Sequence, residues 1–237
     1  MKNIRIFVEG QPEYLFFKIL TDRFLYKDYF PDTNFDINDN FSKSILLSEF
    51  NILRIFNSIK DNLNEFCFII PDLHPINQPF QHNNLDELRN QIHGIIKRRY
   101  SNQDIKDACK RLYIHVFKYN FEIILLAEID KVIDVLGINN DNISVEKIII
   151  KNKINLNALE EYPYNFEVES VEKNILRTIF RKKGKTYSTK YLNPIFEKIN
   201  LKTLVEKLPH FRLFIKDLFQ LADFNKIQNI KNILDND

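Results

Sequence analysis

Residues 3–24 read NIRIFVEGQPEYLFFKILTDRF, and the change of rhythm inside them decides the fold. Ile4, Ile6 and Val8 alternate with Arg5 and Phe7, a run rich in β-branched and aromatic side chains that predicts a buried strand. The run closes at Glu9-Gly10. Pro12 then suits the first turn of a helix, and Tyr14, Leu15, Phe17, Ile19, Leu20 and Phe24 recur at helical spacing. A strand therefore hands over to a helix at Gly10, with two carboxylates, Glu9 and Glu13, on either side of the junction.

The same handover repeats along the chain. A short extended piece at Asn34–Ile37 precedes a helix over Ser48–Leu63, and EFCFIIP at Glu65–Pro71 is the near-continuous apolar run of an interior strand covered on both faces. That strand stops at Asp72, where Pro71, Pro75 and Pro79 impose an irregular loop. A helix over Leu85–Tyr100, a strand at Arg111–Phe117 (RLYIHVF) and a helix over Asn120–Leu136 follow. Strands alternating with helices at these lengths predict an α/β fold, a sheet with parallel strands flanked by helices. Beyond residue 139 the pattern turns helical, over Val168–Lys182, Tyr191–Ile199, Leu201–Leu208 and Pro209–Ala222, with Lys147–Ile150 the one further strand. The expected division is an α/β domain over 1–138 and a mainly helical basic region over 139–237 packed on it. The polar tail Asn225–Asp237 is suited to fraying or to docking on a partner.

Composition narrows the classes. With 237 residues, 44% hydrophobic and 21 Phe, the chain can bury a large core, which excludes disorder and repeat arrays. Two cysteines, Cys67 and Cys109, are too few for a disulfide scaffold or a four-thiolate zinc site and fit a reducing, cytoplasmic setting. No apolar run is long enough for a membrane span, so no membrane is expected as a partner. Net charge is uneven: residues 1–172 hold 20 Lys+Arg against 26 Asp+Glu, whereas residues 173–216 hold 12 against 2. An acidic portion followed by a basic one is the pattern of carboxylates gathered round cations beside a surface that meets polyanions; the alternative for the basic part is a solvated helical face.

In an open parallel sheet the functional groups gather at the carboxyl ends of strands. Glu9 closes the first strand, Asp72 the interior one, and Glu122 follows the strand ending near Phe117; Glu13, four residues after Glu9, turns back towards the same crevice. Acids brought together repel one another unless a cation joins them, and a hard divalent ion, Mg or Mn, suits four carboxylates. Taken singly, each acid has the alternative of capping a helix or pairing with a surface lysine. His74 and His82 lack the cysteines of a usual zinc site, His115 within a strand reads as a packed core residue, and no glycine-rich phosphate loop is present.

Val8-Glu9-Gly10 with Glu13, VEGxxE between strand and helix, resembles the opening motif of Toprim domains, the catalytic fold of topoisomerases, primases and OLD-type nucleases. PDLHP around Asp72 resembles the Toprim DxD motif, and Phe121-Glu122 resembles the third acidic patch of small stand-alone Toprim proteins found beside ATPase genes. Pro209-His210-Phe211 resembles a late segment of the same proteins. The resemblance covers residues 1–135 and, more loosely, 185–222. It implies a Toprim-like catalytic domain, a metal-dependent nuclease and a separate ATPase partner in an anti-phage or DNA-processing system.

Carried over residue by residue, the resemblance gives metal roles to Glu9, Glu13, Asp72 and Glu122. It places His74 at the second acid position, where imidazole suits manganese, zinc or iron better than magnesium, or else hydrogen-bonds a loop carbonyl. It also implies a lysine at the scissile phosphate, for which Lys190 is the first choice and Lys185 the second. Arg181, Lys182, Lys183 and Lys185 form the densest basic cluster and the expected nucleic-acid contact, DNA or RNA. A catalytically silent Toprim-fold binding module is the alternative function. A primase-like polymerase is weaker still, because its zinc-binding segment is absent.

Overall fold

The computed structural model describes residues 1–25, 29–39, 42–73, 82–100, 102–118, 120–138, 142–152, 154–156, 159–160 and 171–222. Strands β1 (Lys2–Phe7), β2 (Thr33–Asn38), β3 (Glu65–Ile69) and β4 (Leu112–Ile114) form one all-parallel sheet in the order β2-β1-β3-β4. The α/β class read from the sequence is thus the class of the structure. Side chains alternate between the two faces. Ile4, Ile6 and Val8 share one face with Phe68 and Ile70, while Phe7 shares the other with Cys67, Ile69, Leu112 and Ile114. Arg5, at the centre of the sheet, reaches Asp36 on β2 at 3.1 Å and Glu65 on β3 at 3.2 Å, tying three strands together.

The two faces are covered differently. Helices α3 (Glu49–Asp61), α4 (Leu85–Arg99) and α5 (Asn102–Cys109) close the Phe7 face with aliphatic side chains such as Ile52, Ile55, Leu88 and Ile92. The Ile4 face is aromatic. Phe16 on α1 (Gln11–Ile19) has its ring 5.2–5.8 Å from those of Phe17, Phe121, Phe196 and Phe211. Phe196 belongs to α10 (Thr189–Phe196) and Phe211 to α12 (Pro209–Phe219), which follows α11 (Leu201–Lys207). The late helices therefore share a core with the first strand and helix, and Phe214 packs edge-on against Phe17 and Phe68.

Several elements differ from their sequence-based outlines. Lys147–Ile150 lies inside a helix, α8 (Asn142–Lys151), rather than a strand. Its Lys-Ile-Ile-Ile run favours strands locally, but Val145 is buried in the aromatic-side core and α8 packs on α9 (Val171–Lys182), so tertiary packing overrides the propensity. The helix expected over 120–136 divides at Glu128 into α6 (Ile123–Ala127) and α7 (Ile129–Leu136). The first helix continues as a π-helical turn over Leu20–Leu25, and a short helix, α2 (Lys43–Leu46), precedes α3. β4 is shorter than its apolar run, although pairing extends to an isolated bridge between Asp72 and Phe117. The tail from Asn225, the expected start of a helix at Val168 and the loop with Pro75 and Pro79 lie outside the described residues. Among the described residues no helix is long and apolar enough to cross a membrane.

Candidate functional site

From β1 the chain moves outward to β2 by way of α1, then crosses to β3 and β4 on the other side with helices on the opposite face. The direction of winding reverses between β1 and β3, and the crevice of such a sheet opens at the carboxyl ends of those two strands. Glu9 stands two residues beyond β1 and Asp72 three beyond β3. They are joined directly: the Asp72 backbone N–H donates to Glu9 Oε1 at 2.9 Å. The Leu73 N–H donates to the Phe117 carbonyl at 2.8 Å, holding the Asp72 turn against the end of β4.

Glu13 reaches the crevice from the first turn of α1, as the spacing to Glu9 requires. Its carboxylate is 9% exposed, and Oε2 has no hydrogen-bond partner. Gly10 makes room for it, because a Cβ at Gly10 would stand 3.2 Å from Glu13 Oε2. Glu122 is buried at the start of α6, its N–H donating to Asn120 Oδ1 at 3.1 Å. The Tyr187 hydroxyl donates to Glu122 Oε1 at 3.3 Å, and Lys173 Nζ lies 3.7 Å from the same oxygen.

Electrostatics link these acids into one group. Burial pushes the Glu9 carboxyl up to about 7, with Glu122 adding to the effect and Lys43 and the Asp72 N–H opposing it. Burial likewise pushes Glu13 up to about 7, and the charges of Glu122 and Glu9 add to it. Asp72 is raised well above the usual carboxylate range, first by burial and then by Glu9, Glu13 and Glu122. The Tyr187 phenol is also pushed upward, by burial and by Glu122, so it stays protonated and acts as a hydrogen-bond donor.

A lysine that the sequence reading did not name stands at the crevice. Lys43, at the start of α2, is 5% exposed, and its Nζ donates to the Leu73 carbonyl at 3.1 Å. Burial lowers its pKa, while Glu9 and Asp72 support its charge. Lys190 is exposed at the start of α10, its Nζ 5.8 Å from the centre of the Tyr191 ring; Lys185 Nζ lies 4.9 Å from that centre. Arg181, Lys182 and Lys183 are exposed at the end of α9. Sequence reasoning thus missed Lys43, Lys173 and Tyr187. The available signal for Lys43 was its place just after the carboxyl end of β2, which the extended piece at 34–37 already marked.

In donor chemistry the four carboxylates fit a hard divalent cation, and the partnerless Glu13 oxygen beside Gly10 fits it best. Glu9, Glu13, Asp72 and Glu122 are the residues that would hold such an ion. Among the described residues, however, no group of three or more His, Cys, Asp or Glu side chains stands at ligand spacing, and His74 lies outside those residues. Elsewhere, His115 is buried with Nε2 3.1 Å from Asp217, and His210 Nδ1 lies 2.7 Å from Glu160; both join the last helical segment to the rest of the fold. Comparison with family models, with curated proteins and with solved structures finds no match for this chain.

Proposed function

We propose that the chain is a divalent-metal-dependent nuclease that hydrolyses phosphodiester bonds in nucleic acid. The observation that carries this reading is the gathering of Glu9, Glu13, Asp72 and Glu122 where β1 and β3 end, with a buried Glu13 oxygen left without a partner. Carboxylates are costly to bury together unless a cation relieves them. When bound, a Mg or Mn ion would activate a water and neutralise the charge that develops on the phosphate. The chain's own part is to hold the donors: Glu9 through the Asp72 N–H, and Glu122 through Tyr187 and Lys173. The exposed Arg181, Lys182 and Lys183 would hold the phosphate backbone, and Lys190 would approach from the same segment. A separate ATPase subunit is the partner implied by the Toprim resemblance.

The second reading is a catalytically silent binding module. It is favoured by the absence, among the described residues, of three donors at ligand spacing. One experiment separates the two: incubation of the protein with DNA and RNA substrates across a panel of metals, beside thermal melts in the same buffers. The nuclease reading expects cleavage that requires Mg or Mn, together with a rise in melting temperature on adding the ion. Nucleic-acid binding with neither cleavage nor a metal-dependent rise would establish the silent module.

A further inference from the structure

Pro209-His210-Phe211 is the one motif of the sequence to which the crevice chemistry above gives no part. Pro209 opens α12, and the Glu160 carboxylate, 4% exposed, sits against that opening. Glu160 Oε2 accepts from the His210 backbone N–H at 2.9 Å and lies 2.7 Å from His210 Nδ1. An ionised carboxylate only accepts, so the ring proton between them belongs to Nδ1, and Nε2 is the nitrogen left for other work. One buried carboxylate thus holds both the backbone and the ring of His210. This is how a carboxylate keeps an imidazole in one tautomer and one orientation for proton transfer, and supports the imidazolium that forms when the other nitrogen is protonated.

The other described histidines lack this combination. His115 has a carboxylate partner, Asp217 at 3.1 Å, but its ring is 1% exposed, stacked on Phe68 and edge-on to Phe214. His82 is fully buried, and His93 belongs to α4, on the opposite face of the sheet, with Nδ1 3.8 Å from Cys109 Sγ. The His210 side chain is 24% exposed, and among the described residues no hydrogen bond engages Nε2. Its place is also right. Lys118 Nζ donates to the Glu160 carbonyl, and Lys118 follows Phe117, which bridges to Asp72 and accepts the Leu73 N–H. Phe211 has its ring 5.8 Å from that of Phe16, three residues after Glu13 on α1. The pair is therefore tied by direct contacts to the Asp72 turn and to the helix that carries Glu13.

We propose that His210 is a catalytic acid that gives its Nε2 proton to the leaving oxygen of a phosphodiester, with Glu160 as its positioning residue. This rests on the nuclease reading above, in its phosphodiester chemistry and not in its choice of ion. In the step, a water oxygen forms the new bond to phosphorus and loses its proton to solvent. The bond from phosphorus to the leaving oxygen breaks, and that oxygen takes the Nε2 proton. The exposed part of the ring then regains a proton from water. The charged and titratable groups around the imidazole are Glu160, Lys118 and His115 with its partner Asp217.

The test uses the full chain and two oligonucleotides that differ in one atom, the leaving oxygen or a sulfur in its place, chosen once the end groups of the wild-type products show which oxygen leaves. A thiolate departs without needing a proton. His210→Asn sets an amide nitrogen where Nδ1 stands, so it keeps the bond to Glu160 and removes Nε2. Its kcat/KM is expected to fall about a hundredfold on the oxygen substrate and no more than about threefold on the sulfur one. Glu160→Gln keeps an acceptor for the His210 N–H and is expected to show the same split, with a loss of about tenfold on oxygen. A residue that only joins α12 to the fold would lower both substrates alike. Equal losses on the two substrates in a folded His210→Asn, or no loss on the oxygen substrate, would overturn the inference and leave the nuclease reading intact. Wild-type protein that cleaves neither substrate with any metal would overturn the nuclease reading itself. Far-UV circular dichroism reports whether His210→Asn folds, and Glu160→Gln carries the comparison if it does not.

Discussion

The carboxylate crevice and the basic segment from Lys173 to Lys216 carry opposite charge and treat it in opposite ways. In the crevice, Glu13 is buried and Glu9 and Asp72 are half-buried beside it, so each carboxyl is pushed towards its neutral form, and the charge of the buried Lys43 opposes that push at Glu9 and Asp72. In the basic segment, Arg181, Lys182, Lys183 and Lys190 stand in solvent, where screening makes each charge weak and replaceable. The same count of charges therefore means different things. Buried, charges are coupled and single substitutions matter; exposed, they act as a sum.

The sharpest way to break that contrast is by activity. On the proposed function, Glu9→Gln and Asp72→Asn each keep size and hydrogen bonding but remove a charged donor, and cleavage should fall by roughly a hundredfold or more. Lys190→Ala, on the exposed side, should cost no more than about tenfold. A Lys190→Ala effect as large as that of Glu9→Gln would place the exposed lysine at the reacting phosphate and remove the distinction.

The same contrast explains what was legible in the sequence. Glu9, Asp72 and Glu122 follow apolar runs, so strand-end reasoning found them, and Glu13 followed from its spacing to Glu9. The β2-β1-β3-β4 order was hidden because parallel pairing is long-range, and no local signal says that β2 lies beside β1. Lys43 was hidden for the same reason. It reaches Leu73 across 30 residues of sequence, and although its place after β2 was a signal, the local residues Phe-Ser-Lys-Ser-Ile give none that this lysine will be buried. Lys190 was legible through its basic neighbourhood, and it is exposed at the start of α10. The Lys147–Ile150 run misled because β-branched residues also pack well on a helix.

Acidity offers the next effect in size. A carboxyl whose folded pKa lies above its unfolded value stabilises the fold fully below the unfolded value and loses that contribution as pH rises through the folded one. With Glu9 and Glu13 raised from 4.5 to about 7, the loss runs across that window. Metal-free protein should therefore melt at a lower temperature near pH 8 than near pH 5, by about 10 °C, from roughly 5 kcal/mol of lost stability. Glu13→Gln should flatten the profile, because its amide does not ionise. Added Mn²⁺ should raise the melting temperature more at the higher pH, where the donors are already deprotonated. A pH-independent melting temperature would mean that the crevice acids are solvated like surface groups.

The exposed side is tested by salt. If the end of α9 holds a phosphate backbone, affinity for nucleic acid should fall steeply with ionic strength, with a log–log slope of about −0.7 to −0.9 for each phosphate neutralised. Lys182→Glu with Lys183→Glu should lower that slope by about 1.5 and weaken binding to all sequences alike, without moving the pH profile of the metal-free melt. Fluorescence anisotropy with a labelled oligonucleotide over a salt series reads both quantities. An unchanged slope would return this surface to a solvated helical face.

Gly10→Ala asks how finely the crevice is shaped, and its effect should be the smallest. The backbone at Gly10 is extended, with φ −157° and ψ −177°, so alanine fits the chain there without strain. In the unfolded chain alanine is less free than glycine, which by itself favours folding by about 0.4–1 kcal/mol. The cost falls on one atom: the new methyl would meet Glu13 Oε2 at 3.2 Å, and that oxygen, at the end of a flexible side chain, must swing by a few tenths of an ångström. Stability should consequently change little or rise slightly, while Mn²⁺ affinity falls about threefold because the displaced oxygen is the partnerless donor. A loss of stability without a change in Mn²⁺ binding would show that Gly10 serves the strand-to-helix turn alone and that Glu13 is held in place by packing rather than awaiting a ligand.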